Sequence, residues 1–125
     1  MHTRIYRPLG KPNSKPEIMD KGTAYRIGEK YITFLINEKK IDIKKAFLFG
    51  SYAKETQRPE SDIDIAVVVT DVKDIIDLQI QLMFLRRNFS VDIEPHPINQ
   101  TDFTISNPLA YEIMQTGIEY QISKE

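Results

Sequence analysis

Seven consecutive residues, Ile63–Val69, read IDIAVVV, and no other stretch restricts the fold of this chain as strongly. A continuous run of β-branched residues of this length suits an interior strand covered on both faces. Yet Asp62 and Asp64 sit at its mouth, and ionised carboxylates are costly to desolvate unless positive charge meets them. Side chains alternate along a strand, so Asp62 and Asp64 share one face while Ile63, Ile65, Val67 and Val69 share the other. Two such positions lie roughly 6–7 Å apart at their Cα atoms. That spacing suits oxygen ligation of one or two hard cations.

The segments around this strand define the fold class. Residues 22–39 predict a helix, with Ala24, Ile27, Gly28, Tyr31, Phe34 and Leu35 on one apolar stripe. Gly28 on that stripe implies close packing, and Tyr31 and Phe34 read as core. KAFLF (45–49) predicts a strand ending at Gly50, residues 51–56 a short helix, and 57–61 (QRPES) a loop. Residues 72–87 are long enough for a helix, and Arg86-Arg87 suits its end. Apolar residues nearly circle it, so it is either deeply buried or part of it meets another chain, a second copy included. SVDIE (90–94) predicts a strand closed by Pro95 and Pro97. Asn107-Pro108 opens a helix to Thr116, with Gly117 as a C′ residue. Residues 118–122 are either a last strand or an extended tail. The order predicts an α/β fold, a small mixed β-sheet flanked by helices.

A third carboxylate is expected from a neighbouring strand. Asp92, between apolar residues in VDI, is the first candidate, and Glu94 shares its face. Like charges this close repel and raise pKa values unless a cation is present. Gly50 and Ser51 supply the other half of the site. Glycine admits a phosphate close to the backbone, and a strand-to-helix turn offers N–H groups to an anion. Lys54 reads as solvated, and Tyr52 is the tyrosine nearest the phosphate turn. His96 reads as a structural or solvated loop histidine between its two prolines.

The combination GSYAKETQRPESDID, residues 50–64, resembles the G-S-x(10)-D-x-D signature of the DNA polymerase beta-like nucleotidyltransferase superfamily. Within it, the short length resembles the minimal nucleotidyltransferases (MNT proteins) paired with HEPN toxins. The resemblance covers roughly residues 22–122. It implies a polymerase beta-like fold, Gly50 and Ser51 at the nucleotide phosphates, Asp62 and Asp64 as metal-binding carboxylates, and Asp92 as the third catalytic and metal-binding acid. It implies two Mg²⁺ ions and ATP as donor of AMP to a hydroxyl, with a tyrosine of a HEPN toxin as acceptor and an antitoxin role. A non-catalytic toxin-binding module and a small-molecule, antibiotic-type transferase are the alternatives. One departure stands out: the family often reads G-S-x-A-x-G, and Glu55 replaces the last glycine.

Composition narrows the remaining classes. The 125 residues, 41% hydrophobic, suit one domain, expected to span 21–125. Residues 1–20 carry Arg4, Arg7, Lys11, Lys15 and prolines at 8, 12 and 16, and are expected to form a basic extended arm. Net charge is −1, which disfavours nucleic acid as partner. The absence of cysteine removes disulfides, thiolate zinc sites and thiol nucleophiles. No stretch reaches the roughly 18 apolar residues of a membrane span, and the first residues show no secretory leader. A cytoplasmic protein is the expectation.

Overall fold

The structure, a computed structural model, describes residues 18–122. The expected basic arm lies almost wholly outside the described residues. Helix α1 (Lys21–Asn37) starts at Asp20, whose side chain accepts the Thr23 N–H at 2.7 Å. Strand β1 (Ile43–Phe49), the single-turn helix α2 (Ser51–Lys54) and strand β2 (Ile63–Val69) follow. Then come α3 (Ile75–Leu85), β3 (Ile93–Asn99), α4 (Pro108–Thr116) and the two-residue β4 (Ile118–Glu119). The sheet is mixed, ordered β3-β2-β1-β4. β1 runs antiparallel to β2 and β4, and β3 runs parallel to β2.

Alternation along β1 and β2 divides the core. Ala46, Leu48, Ile63, Ile65 and Val67 pack with Ala24, Tyr31 and Leu35 of α1 and with Leu78 and Leu82 of α3. On the opposite face Phe47, Phe49, Ala66 and Val68 meet Ile98 and Ile113 of α4. Tyr31 is fully buried and donates its hydroxyl to the Leu82 carbonyl at 2.7 Å, joining α1 to α3. Gly28 sits where α1 crosses the sheet: a Cβ there would run into the Tyr120 hydroxyl and come 2.6 Å from Ile65 Cδ1.

Three expectations are corrected. β3 does not stop at Glu94; it runs through Pro95 and Pro97 to Asn99. It is an edge strand, and its even-numbered residues face β2 in the hydrogen-bonding plane, beginning with the Asp92 carbonyl, which accepts from Ile63 N–H at 2.8 Å. The prolines therefore point their nitrogens away from the ladder, where no donor is needed. The outward carbonyls of Ile93 and Pro95 accept from Arg86 and Gln79 instead.

The helix expected over 72–87 is shorter, because Asp74 caps it by accepting the Asp77 N–H at 2.9 Å. It is not buried all round: Leu78 and Leu82 enter the core, while Ile76, Ile80 and Phe84 stand 64%, 64% and 62% exposed on the far side. Gly117 ends α4 with φ −74°, not in the left-handed region. Its lack of a Cβ matters because one would lie 2.5 Å from the Ile113 carbonyl.

Candidate active site

The site forms on the α4 side of the sheet, where β1 ends and β2 begins. Register brings its parts together. Phe49 pairs with Asp64 across the antiparallel ladder, and Asp64 pairs with Glu94 across the parallel one. One pair further along β3, His96 lies opposite Ala66 and shares a face with Glu94. Asp64 Oδ1 and His96 Nε2 are 3.1 Å apart, both side chains about three-quarters buried. The imidazole packs edge-on to Phe49, with ring centres 5.0 Å apart.

Gly50 is fixed by this arrangement. Its φ of 76° and ψ of −152° belong to a region that only glycine occupies readily. A Cβ on it would collide with Asp64 Oδ2. The glycine thus turns the chain out of β1 and leaves room for the second aspartate of the D-x-D pair. Ser51 follows as the first residue of α2, half-buried. Glu55 closes α2 in the left-handed region (φ 58°, ψ 37°), a conformation suited to the glycine often found there in the family it resembles. Its carboxylate is held by Lys21 at 3.0 Å and its N–H bonds back to α2, so the turn keeps its shape without glycine.

Asp62 is exposed, just ahead of β2, and shares a hydrogen bond with Glu94. That bond, then burial, hold the Glu94 carboxyl above its ordinary value; the neighbouring charges of Asp62 and Asp64 act the same way and His96 opposes them. Among the described residues, one group offers three convergent ligand atoms: Asp64, Glu94 and His96, all within 4.8 Å of one another. Asp92 is not a member of it. Asp92 lies in the turn before β3, level with Asp62 and not Asp64, and its charge acts on the buried Tyr52 phenol, adding to the rise caused by burial. Convergent carboxylates, one of them with its pKa raised by its neighbours, beside an imidazole nitrogen are a donor set whose mutual repulsion a divalent cation would relieve, so the residues fit a metal. Sequence reasoning ranked Glu94 second and set His96 aside; the one available signal was the i, i+2 spacing of 92, 94 and 96.

Residues 29–122 match the family model "Polymerase beta, Nucleotidyltransferase". The chain belongs to the polymerase beta nucleotidyltransferase family. Among solved structures it is similar to a chain in a mutant of the toxin-antitoxin MntA-HpeT, with 26% identity and a TM-score of 0.55 over 76% of this chain and 72% of that one. A chain of a toxin-antitoxin crystallised with AMP-PNP is also 26% identical, with a TM-score of 0.52 over 76% of this chain and 73% of that one. A candidate nucleotidyltransferase from Sulfolobus solfataricus shares the fold at 15% identity, with a TM-score of 0.50 over 89% of this chain and 91% of that one. No curated protein matches. Among the described residues, no helix is long and apolar enough to cross a membrane.

Proposed function

We propose that this nucleotidyltransferase moves AMP from ATP to a hydroxyl of a partner protein, a tyrosine of a HEPN-type toxin, and so acts in the cytoplasm as that toxin's antitoxin. The observation that carries the reading is Gly50, held at glycine-only dihedrals with the Asp64 carboxylate seated against it. It joins a phosphate-admitting turn to a convergent group of acids within one strand register. The toxin-antitoxin structures similar to this chain, one of them with AMP-PNP, support both the donor and the partner class.

In this reading the backbone of Gly50 and the Ser51 hydroxyl hold the triphosphate, since no side chain at 50 bars its approach. Asp62, Asp64 and Glu94 would hold the divalent cation, with Asp92, in the turn before β3, as the acid that would serve the attacking hydroxyl. A divalent cation, when bound, would supply neutralisation of the triphosphate charge and a more acidic attacking hydroxyl. With the triphosphate held by Gly50 and Ser51, the hydroxyl would approach the α-phosphate opposite the departing pyrophosphate and give its proton to Asp92. A toxin acceptor brings its own surface, which suits a chain with no second domain among the described residues.

A second reading, a neutralising partner without catalysis, is favoured by the exposed stripe Ile76, Ile80 and Phe84 on α3, which also suits pairing with a second copy. The experiment that separates them uses α-labelled ATP, Mg²⁺ and a lysate of the source cells. Wild type is expected to label one protein band, with Asp64→Asn lowering the labelling at least 100-fold. No labelled protein with wild type, alongside intact toxin binding by both chains, establishes the second reading instead.

A further inference from the structure

His96 is the member of the site that an all-oxygen Mg²⁺ centre does not require. It is one of two histidines in the chain, its side chain about three-quarters buried, and its Nε2 faces the same space as Asp64 and Glu94. Neighbouring ligands on a six-coordinate dication with bonds of roughly 2.1 Å stand roughly 3 Å apart. His96 Nε2 and Asp64 Oδ1 are 3.1 Å apart, so the pair already has the spacing of two adjacent ligands. The ring is braced for that position: Phe49 packs against it edge-on, and β3 carries it between two prolines that stiffen the strand on either side. Glu94, one pair back on the same face, completes a two-carboxylate, one-imidazole set.

Ligand chemistry then separates the candidate ions. Mg²⁺ takes oxygen and dehydrates reluctantly. Imidazole nitrogen favours first-row transition dications, with affinity rising along the series from Mn²⁺. We infer that Asp64, Glu94 and His96 form a mixed oxygen–nitrogen site that selects a first-row transition dication over Mg²⁺, with His96 as the selecting ligand. The inference rests on the nucleotidyl-transfer reading for the role of the ion, and on the residues alone for its identity.

The test is metal binding, with Mn²⁺ as probe. Metal-free chain is titrated with MnCl₂ while free Mn²⁺ is followed by electron paramagnetic resonance, and bound Mn²⁺ is displaced with MgCl₂. Wild type is expected to show nitrogen modulation in the spin-echo signal of bound Mn²⁺. His2→Asn keeps that modulation and His96→Asn loses it. His96→Asn is expected to weaken Mn²⁺ binding about tenfold or more, with Mg²⁺ binding changed less than about twofold. Equal losses for both ions would mean that His96 only orients Asp64 by a hydrogen bond, and the inference falls. Wild type without nitrogen modulation overturns it with no need of a variant. Failure of the transfer reading is visible separately, as wild type that neither binds ATP nor labels a protein; a His96-dependent Mn²⁺ preference in such a chain would leave this inference standing.

Discussion

Two residues on either side of α2 show how one backbone angle decides a site. Gly50→Ala would put a methyl group into the Asp64 carboxylate and demand dihedrals that alanine avoids. The expected result is a loss of about 2–3 kcal/mol in denaturant unfolding and a fall of about 100-fold in transfer, because Asp64 must move. Glu55 is the opposite case, an L-residue holding a conformation that glycine adopts freely. Glu55→Gly is expected to gain about 0.5–1 kcal/mol, since the exposed pair with Lys21 that it forfeits contributes only a few tenths. A net loss in the same unfolding assay would mean that the Lys21 contact outweighs the strain. The glycine at 50 was legible in the sequence as a turn before a carboxylate pair. That its missing Cβ leaves room for the Asp64 carboxylate was not legible, because the contact joins residues on two strands.

Elements were legible where the cause is local. α1 follows from its apolar stripe, expected over 22–39 and observed over Lys21–Asn37, and β2 from its β-branched run, observed over the residues expected; the Asp20 cap that starts α1 was not read from the sequence. The cap makes a prediction with a definite sign. The Thr23 backbone N–H holds the Asp20 carboxyl below its ordinary value. A carboxyl whose folded pKa is depressed adds stability that is present above its unfolded pKa and is lost as pH falls through the folded one. Asp20→Ala should lower Tm by about 3–6 °C near neutral pH, and the gap to wild type should narrow on acidification through Asp20's titration. Asp20→Asn caps without titrating, so its gap to Asp20→Ala should not close in thermal melts across the same range. β3 was misjudged, and the two readings of α3 stayed open, for a shared reason. Whether a proline can sit in a strand, or an isoleucine on a helix can stay exposed, depends on what lies beside the element. Pro95 and Pro97 are admitted by an edge, and Ile76, Ile80 and Phe84 turn away from the sheet that Leu78 and Leu82 pack against.

At the scale of the molecule, the last described segment closes the first. Tyr120 stacks on Tyr25 with ring centres 4.3 Å apart, donates its hydroxyl to the Tyr25 carbonyl at 3.1 Å, and fills the notch above Gly28. Helix propensity alone says that Gly28→Ala should stabilise α1 by about 1 kcal/mol. The packing says otherwise, because the new methyl would displace Tyr120 and Ile65. The expected outcome in chemical denaturation is a loss of about 1–3 kcal/mol, partly recovered by Tyr120→Phe, which removes the hydroxyl. The sequence by itself determined the fold class, the strand that carries Asp64 with Asp62 at its mouth, and the glycine turn before them. Each of these follows from periodicity, backbone restriction or the cost of a buried charge, all of which act between near neighbours in the chain. Only the tertiary structure decided that Glu94 stands level with Asp64 and His96 reaches it from the next pair along, while Asp92 lies outside that group, that Glu55 holds a glycine's conformation, and that one face of α3 stays bare. Those outcomes depend on register between strands and on packing between elements, and a register is fixed only when the whole sheet forms.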